Sequence, residues 1–340
     1  MQPDLSLDLA TVQANARAWR IYAGVPVYAV LKADGYGWGI GPLARALEDF
    51  AQAYCVSDAD ELAQLRRYSA KRAIVLNSVE PDRLAQVLHS NASPTISNAT
   101  EFELARTILT QADLPLDIRI GLRPAPAWSG SSLDDLRSLA PALAAAGARV
   151  QLWTHFADWE RRAQLSATLK QAERFMREVG VDLTGVDVAS TFSLAADGPC
   201  GDAVRIGIGL FGATGGAPVS GVRCALRLRA PVLRVQHHPA GTRLGYGGTM
   251  LRMGETIATA RCGYADGLPN ALAGADDILS IGMQYLTVRA SRLSPERSEL
   301  VVLDANSDLD ILASRARRLP HEIVTAFGNC ARANGVSVEV

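Results

Sequence analysis

The architecture of this chain can be inferred outward from one segment, Val25-Pro26-Val27-Tyr28-Ala29-Val30-Leu31-Lys32-Ala33-Asp34-Gly35-Tyr36-Gly37-Trp38-Gly39. Its apolar part, 27–31, has no polar face and predicts a buried β-strand. The strand ends on Lys32, and a loop with three glycines follows. A lysine that closes a buried strand is costly unless it is neutralised, paired or used covalently. The alternative is a lysine whose ammonium group snorkels to water from the strand end.

The other lysines do not share this position. The chain contains 34 basic residues, but only Lys32, Lys71 and Lys170 are lysines. Lys71 falls in a polar surface turn, and Lys170 falls in a helix rich in Gln, Glu and Arg. Lys32 is therefore the candidate reactive amine.

Composition excludes several classes of protein. The 340 residues, with 48% hydrophobic content and a net charge of -1, are typical of a globular protein with one large domain and one smaller domain. No basic excess suggests nucleic acid, no apolar run is long enough for a membrane span, and the start of the chain lacks a signal-peptide pattern, so we expect a cytoplasmic protein. The five scattered cysteines form no Cys-x-x-Cys pair, and neither they nor the histidines predict a metal site or a disulfide framework.

Strands and helices alternate over the first two thirds of the chain, after a short strand at 5–9 and a helix at 11–20. The predicted strands are 27–31, 53–56, 73–76, 94–96, 116–120, 150–154, 185–188 and 203–207. The helices between them are predicted at 42–50, 58–68, 81–88, 99–109, 132–146 and 164–179. About eight such units predict an α/β fold, a (β/α)8 TIM-type barrel over residues 1–222.

A second domain is predicted over residues 223–340, where the pattern changes to short alternating strands separated by Gly- and Pro-rich turns. Two short helices, 308–318 and 320–327, are predicted near the end.

The barrel predicts the location of its own functional site. Catalytic groups of such barrels lie where strands pass into the following loops. Lys32, His155, Thr191 and Arg205 all fall at such positions. These four residues are therefore expected to converge on one face.

A glycine-rich segment, Gly207-Ile208-Gly209-Leu210-Phe211-Gly212, matches G-x-G-x-x-G. It is a weak dinucleotide fingerprint, because it comes at the end of the barrel series and no acidic residue follows about 20 positions later. Glycines at a strand end also let backbone N–H groups approach a phosphate, and barrels often bind phosphate after their last strands. A lysine at one strand end and a phosphate loop at another suggest pyridoxal phosphate as the cofactor.

Nearly the whole chain resembles the alanine racemases, pyridoxal phosphate enzymes of fold type III. The resemblance rests on five motifs that occur in the family's order: Val30-Leu31-Lys32-Ala33-Asp34-Gly35-Tyr36-Gly37-Trp38-Gly39, Trp153-Thr154-His155-Phe156-Ala157, Val204-Arg205-Ile206-Gly207-Ile208-Gly209-Leu210-Phe211-Gly212, Gly245-Tyr246-Gly247-Gly248-Thr249 and Cys262-Gly263-Tyr264-Ala265-Asp266-Gly267-Leu268-Pro269. The motifs around Lys32 and Tyr264 are the most specific.

The resemblance implies a role for each matched residue. Lys32 would carry the cofactor, and Tyr264 would be the second acid/base, so that two groups exchange the α-proton of an amino acid on opposite faces. Arg205, always protonated, would face the pyridine nitrogen and keep it unprotonated. The remaining cofactor contacts would come from Tyr36, His155, Thr191, Gly207 and Ile208. Family enzymes are head-to-tail homodimers, so the second domain would complete the partner's site.

Substrate-facing segments depart from the family pattern. The family's carboxylate-binding arginine is out of register here, and Arg123 is the possible substitute. A Ser/Cys-Met-Asp segment is replaced by Ser294-Pro295-Glu296, and the expected late tyrosine aligns with Asn329. Arg123, Glu296 and Asn329 are the substrate-binding candidates. The resemblance thus predicts a racemase of alanine or another small amino acid.

Two alternatives remain open on the same fold. One is a decarboxylase or retro-aldol lyase, and decarboxylases of this fold use a cysteine opposite the lysine; Cys262 and Cys330 are near the right segments. The other is a non-catalytic cofactor-binding barrel, which would lack the second domain that carries Tyr264.

Overall fold

A closed barrel of eight parallel strands forms the larger part of the structure. The computed structural model describes residues 2–123, 130–155, 162–197, 201–245, 249–275, 277–293 and 298–333. Strand β1 (Asp4–Leu7) and helix α1 (Leu9–Ala23) precede the barrel. Its strands are β2 (Val27–Val30), β3 (Ala53–Val56), β4 (Ala73–Val75), β5 (Ala92–Ile96), β6 (Asp117–Gly121), β7 (Arg149–Trp153), β8 (Asp182–Ser190) and β9 (Ala203–Ile206). Pairing of β2 with β9 closes the barrel, which confirms the predicted fold class.

Helices follow the barrel strands. They are α2 (Lys32–Tyr36, a single turn), α3 (Ile40–Leu47), α4 (Ala59–Leu65), α5 (Pro81–Leu88), α6 (Ala99–Gln111), α7 (Leu133–Ala145), α8 (Arg162–Glu178) and α9 (Thr191–Asp197). Because the strands are covered on both faces, β2, β3 and β4 are buried throughout. No described helix is long and apolar enough to cross a membrane.

The inside of the barrel is apolar on one side only. Tyr28, Val30, Cys55, Ile74 and Ala203 form a buried cluster separate from the main core. Successive strand residues point to opposite faces, so Lys32 continues the inward series of β2, and Arg205 continues that of β9 from Ala203. On β6, β7 and β8 the buried polar residues are Arg119, Gln151 and Asp187.

A mostly antiparallel β domain forms the rest of the structure. Its strands are β10 (Leu226–His238), β11 (Glu255–Ala260), β12 (Ile278–Ile281), β13 (Leu286–Arg289) and β14 (Glu299–Leu303), and its helices are α10 (Leu309–Ala316) and α11 (Pro320–Ala333). The sheet order is β1-β10-β11-β13-β12, and β14 also pairs with β10. The first strand of the chain therefore belongs to this sheet and not to the barrel.

Candidate active site

Lys32 begins a left-handed turn. Ala33, Asp34, Gly35 and Tyr36 have φ angles of 55°, 51°, 63° and 56°. In this region each residue that carries a Cβ costs roughly 1–2 kcal/mol. Such strain persists only where the surroundings impose it.

The carboxylates of Glu61 and Asp34 hold this turn. The Asp34 N–H donates to Glu61 Oε1 at 3.0 Å, and the Ser57 N–H donates to Glu61 Oε2 at 2.7 Å. The Asp34 carboxylate accepts from the Ile40 N–H at 2.8 Å and pairs with Arg332 of α11. Polar contacts thus connect the turn to α4 through Glu61 and to α11 through Arg332.

Helix α11 also packs against the glycines of the loop. A Cβ at Gly328 would lie 2.7 Å from the Gly37 carbonyl carbon and 2.7 Å from the Tyr36 oxygen, and one at Gly37 would lie 2.8 Å from Asn329 Oδ1. The indole N–H of Trp38 donates to the Val324 oxygen at 3.1 Å. This close packing fixes the end of the Lys32 loop.

A small polar cradle lies between the Lys32 turn and the segment after β9. A Cβ at Gly207 would overlap the Tyr36 hydroxyl, so only glycine admits that hydroxyl. The Gly209 N–H donates to the Thr191 hydroxyl at 3.3 Å, and the Trp19 indole donates to the Gly209 oxygen at 3.0 Å. Two hydroxyls and a glycine backbone therefore meet at the carboxyl ends of the strands, which is the donor set that a phosphate requires.

Arg205 lies inside the barrel, 4% exposed. It forms an ion pair with Asp187, and its Nη2 donates to the Thr154 oxygen at 2.6 Å. Its guanidinium lies 4.9 Å from the centre of the Trp153 ring. Burial lowers the pKa of Arg205, and the neighbouring Arg119 lowers it further. An ion pair with a carboxylate, here Asp187, favours the charged form of a guanidinium.

The pKa of the Lys32 amine is lowered as well. Lys32 is exposed by surface area, yet partial burial of its amine lowers the pKa; Glu61 acts in the opposite direction, and Arg205 lowers it further. A lowered pKa increases the fraction of free amine, the form that reacts with a carbonyl group.

Two histidines share the electrostatic surroundings of Lys32. Burial lowers the pKa of His155 to about 3, with further lowering by Arg205 and Lys32. His321 of α11 has its pKa lowered to about 4 by burial and by Lys32. Its ring centre lies 6.0 Å from that of Tyr36 and 5.6 Å from that of Phe192.

Tyr264 lies in the second domain, in a short 3₁₀ turn, Tyr264–Asp266, and is 44% exposed. The Asp266 carboxylate accepts from the Gly263 N–H at 2.8 Å and pairs with Arg261 at 3.0 Å. The Tyr264 N–H donates to the Gly282 oxygen at 3.0 Å. The turn is thus rigidly held while the tyrosine side chain remains accessible.

Comparison with known proteins places the chain in a family. The family model of the alanine racemase N-terminal domain matches residues 7–215, and that of the alanine racemase C-terminal domain matches residues 225–334. The chain belongs to the alanine racemase family. This confirms the resemblance inferred from the five sequence motifs.

Individual relatives match over most of their length. An alanine racemase of Streptococcus suis is 28% identical over 327 residues, 87% of each protein. One of Dinoroseobacter shibae is 28% identical over 341 residues, 95% of each protein. The crystal structure of alanine racemase from Bartonella henselae with covalently bound pyridoxal phosphate has a TM-score of 0.80 at 22% identity and covers 97% of this chain and 98% of its own. At that identity the structural likeness shows the fold alone.

The three substrate candidates chosen by comparison with alanine racemases lie in different places. Arg123 donates from Nε to the Gly130 oxygen at 3.1 Å and pairs with Asp135 at 3.6 Å. Asn329 of α11 packs against Gly37 of the Lys32 loop. Glu296 lies outside the described residues. Their substrate roles stay predictions.

Several polar groups of the site were not singled out from the sequence: Glu61, Arg119, Asp187 and His321. A signal was available for two of them, because Arg119 stands between Ile118 and Ile120 and Asp187 between Val186 and Val188. A charged residue inside an apolar barrel strand indicates a buried ion pair. His321 carried no comparable signal.

Proposed function

We propose that this member of the alanine racemase family is a pyridoxal phosphate-dependent racemase that interconverts the L- and D-forms of alanine or another small amino acid. The observation that carries the proposal is the placement of the Lys32 amine, with its lowered pKa, at the same barrel mouth as the Tyr36–Thr191–Gly207 cradle and Arg205. The Tyr36–Thr191–Gly207 cradle suits the phosphate of this cofactor, and Arg205 suits its pyridine nitrogen.

Each residue has a distinct task in the proposal. Tyr36, Thr191 and the backbone of Gly207 and Ile208 would hold the phosphate, and Arg205 would face the pyridine nitrogen. His155 would lie beside the ring as a neutral imidazole, because burial lowers its pKa to about 3.

The cofactor, when bound, supplies an electron sink that weakens the bond between the α-carbon and its hydrogen. Lys32 Nζ takes or returns the proton on one face, and the Tyr264 hydroxyl serves the opposite face. A proton removed by one group and returned by the other inverts the configuration.

The proposal includes a head-to-tail homodimer in which Tyr264 of one chain reaches the barrel of the other. The second domain exposes apolar side chains that are available for such an interface: Leu233, Val235, Met283 and Tyr285. We also propose that the chain divides into domains at 1–222 and 223–340. The proposal includes a cytoplasmic location, because buried free thiols such as Cys55 suit a reducing compartment.

The decarboxylase or retro-aldol lyase remains the second candidate. Its cysteine would have to reach the substrate, but Cys262 is 0% exposed, whereas Tyr264 is 44% exposed. Cys330 lies 3.6 Å from the Ala265 oxygen, and burial raises its pKa. The accessible tyrosine favours racemisation.

Absorbance spectroscopy tests the cofactor, and an amino-acid panel tests the reaction. Purified protein with pyridoxal phosphate should show a visible band that borohydride fixes covalently, and Lys32→Ala should lack it because no other described lysine lies in the barrel mouth. Lys170→Ala, changed on helix α8, is the matched control and should keep the band. Protein that carries the band but racemises no L- or D-amino acid would exclude racemisation.

A further inference from the structure

Two buried arginines share one buried carboxylate inside the barrel. Arg205 pairs with Asp187 Oδ1, and Arg119 Nη2 lies 2.8 Å from Asp187 Oδ2. The three residues are 4%, 1% and 0% exposed, in the order Arg205, Arg119, Asp187. Both guanidinium groups also lie against the Trp153 ring, at 4.9 Å for Arg205 and 5.5 Å for Arg119. We call Arg119, Asp187 and Arg205 the barrel triad.

Hydrogen bonds continue from the triad toward the amino-terminal end of the barrel. Arg119 Nη1 donates to Gln151 Oε1 at 2.8 Å, and Gln151 Nε2 donates to the Tyr28 hydroxyl at 3.1 Å. This second anchor holds Arg119 in place on the side away from Asp187. The Arg119 guanidinium is therefore held by Asp187 on one side and by Gln151 on the other.

The charge of the triad depends on all three members. A lone Arg205–Asp187 pair would be neutral, whereas two arginines and one carboxylate carry a net charge of +1. The other titratable groups that interact with Arg205 come from the strands around it: Tyr28 of β2, Lys32 after β2, Cys55 of β3 and His155 after β7. Cys55 and His155 are uncharged at neutral pH, because burial raises the pKa of Cys55 to about 11 and lowers that of His155 to about 3.

We propose that Asp187 and Arg119 are positioning residues that set the charge Arg205 presents to the cofactor. Asp187 fixes the guanidinium of Arg205. Arg119 pairs with the same carboxylate, so the single negative charge does not fully neutralise Arg205. The net positive charge then keeps the facing ring nitrogen unprotonated. The inference rests on the proposed function, since it needs pyridoxal phosphate in the barrel.

The proposal predicts opposite effects for two substitutions. Arg119→Met leaves a neutral pair and should raise the pH midpoint of the cofactor's visible absorbance change, by roughly one unit for a charge lost at this distance. Asp187→Asn leaves two arginines without a counter-ion and should lower the midpoint. Arg119→Lys keeps the charge and should restore a midpoint close to that of the unchanged protein.

Titration of the holoenzymes by absorbance, without substrate, separates the outcomes. A purely structural role would weaken cofactor binding in both variants without shifting the midpoints in opposite directions, and that result would overturn the inference. If the variants do not fold, nitrogen-15 NMR of ring-labelled cofactor bound to the unchanged protein decides the matter, because a protonated ring nitrogen at neutral pH contradicts it. Unchanged protein that forms no visible band refutes the proposed function itself.

Discussion

His321 and His155 connect the stability of the cofactor-free protein to pH. Unfolded histidine titrates near pH 6.5, whereas the folded pKa values are about 4 and about 3. As pH falls below about 6.5 the unfolded chain binds protons first, so the free energy of unfolding decreases, by up to about 1.4 kcal/mol per pH unit for each histidine. The stabilisation is complete above the unfolded pKa and is lost as pH falls toward the folded values.

Urea unfolding at pH 7, 6 and 5 measures this effect. We expect His321→Gln to flatten the decline between pH 7 and 5, because one of the two groups no longer titrates. His89→Gln changes an exposed histidine and should follow the unchanged protein. Identical pH profiles for all three proteins would show that His321 is not buried as a neutral ring.

At the residue scale, the sequence indicated a site residue where a reactive side chain occupies an unusual position. Lys32 could be singled out because lysine is rare here and ends a buried strand. The partnership of Arg119 with Asp187 could not be derived, since it requires β6, β8 and β9 to face one another across the closed barrel. His321 was missed because only the docking of α11 brings it to Lys32.

The contact between the Lys32 loop and α11 makes a prediction at the scale of elements. Gly328→Ala should lower the free energy of unfolding by about 1–3 kcal/mol, because the new methyl group meets backbone atoms of Tyr36 and Gly37 at 2.7 Å. Alanine is the better helix former by about 1 kcal/mol, but backbone cannot yield as a flexible side chain can. Cofactor affinity should fall as well, since the loop carries Lys32.

Gly254→Ala provides the matched control. Its added methyl group would meet the exposed ring of His237 at 3.1 Å, which can move aside. Urea unfolding and titration of apo-protein with pyridoxal phosphate compare the two variants. Equal stability and affinity for both would mean that the loop and α11 are not held in close contact.

The boundaries of helices and strands could be predicted where local turn signals are strong. The prediction was wrong where long-range packing overrides the local signal. Helix α5 begins and ends where predicted, at Pro81 and Leu88. The sequence alternates at 224–229 and again at 232–235, which indicates two short strands, but β10 runs through Pro231 as one strand with a bulge between Val232 and Arg234. The strand tolerates Pro231 because the proline oxygen still accepts from the Arg261 N–H at 2.8 Å. Likewise α11 continues past 327, since Gly328 is required for packing and not for ending the helix.

At the scale of the whole molecule, a site shared between two chains can be tested by mixing inactive variants. Lys32→Ala and Tyr264→Phe should each abolish racemisation. A hybrid dimer would contain one site with both residues intact, so an equal mixture refolded together should recover about a quarter of full activity.

The same mixture distinguishes a site built within one chain. In that case every site lacks one of the two residues, and no activity returns. Two preparations of Lys32→Ala mixed with each other provide the control for refolding. Size-exclusion chromatography of each variant establishes that dimers are present.

The pairing of β1 with β10 affects how the protein folds during synthesis. The register joins Asp4 to Arg229, so β1 gains its partner only after the whole barrel has been made. Contacts this distant in sequence close slowly. Leu5 and Leu7, buried in the finished protein, stay unprotected on the growing chain in the meantime. The newly made barrel thus carries an unpaired apolar strand, the kind of segment that chaperones bind, until the second domain leaves the ribosome.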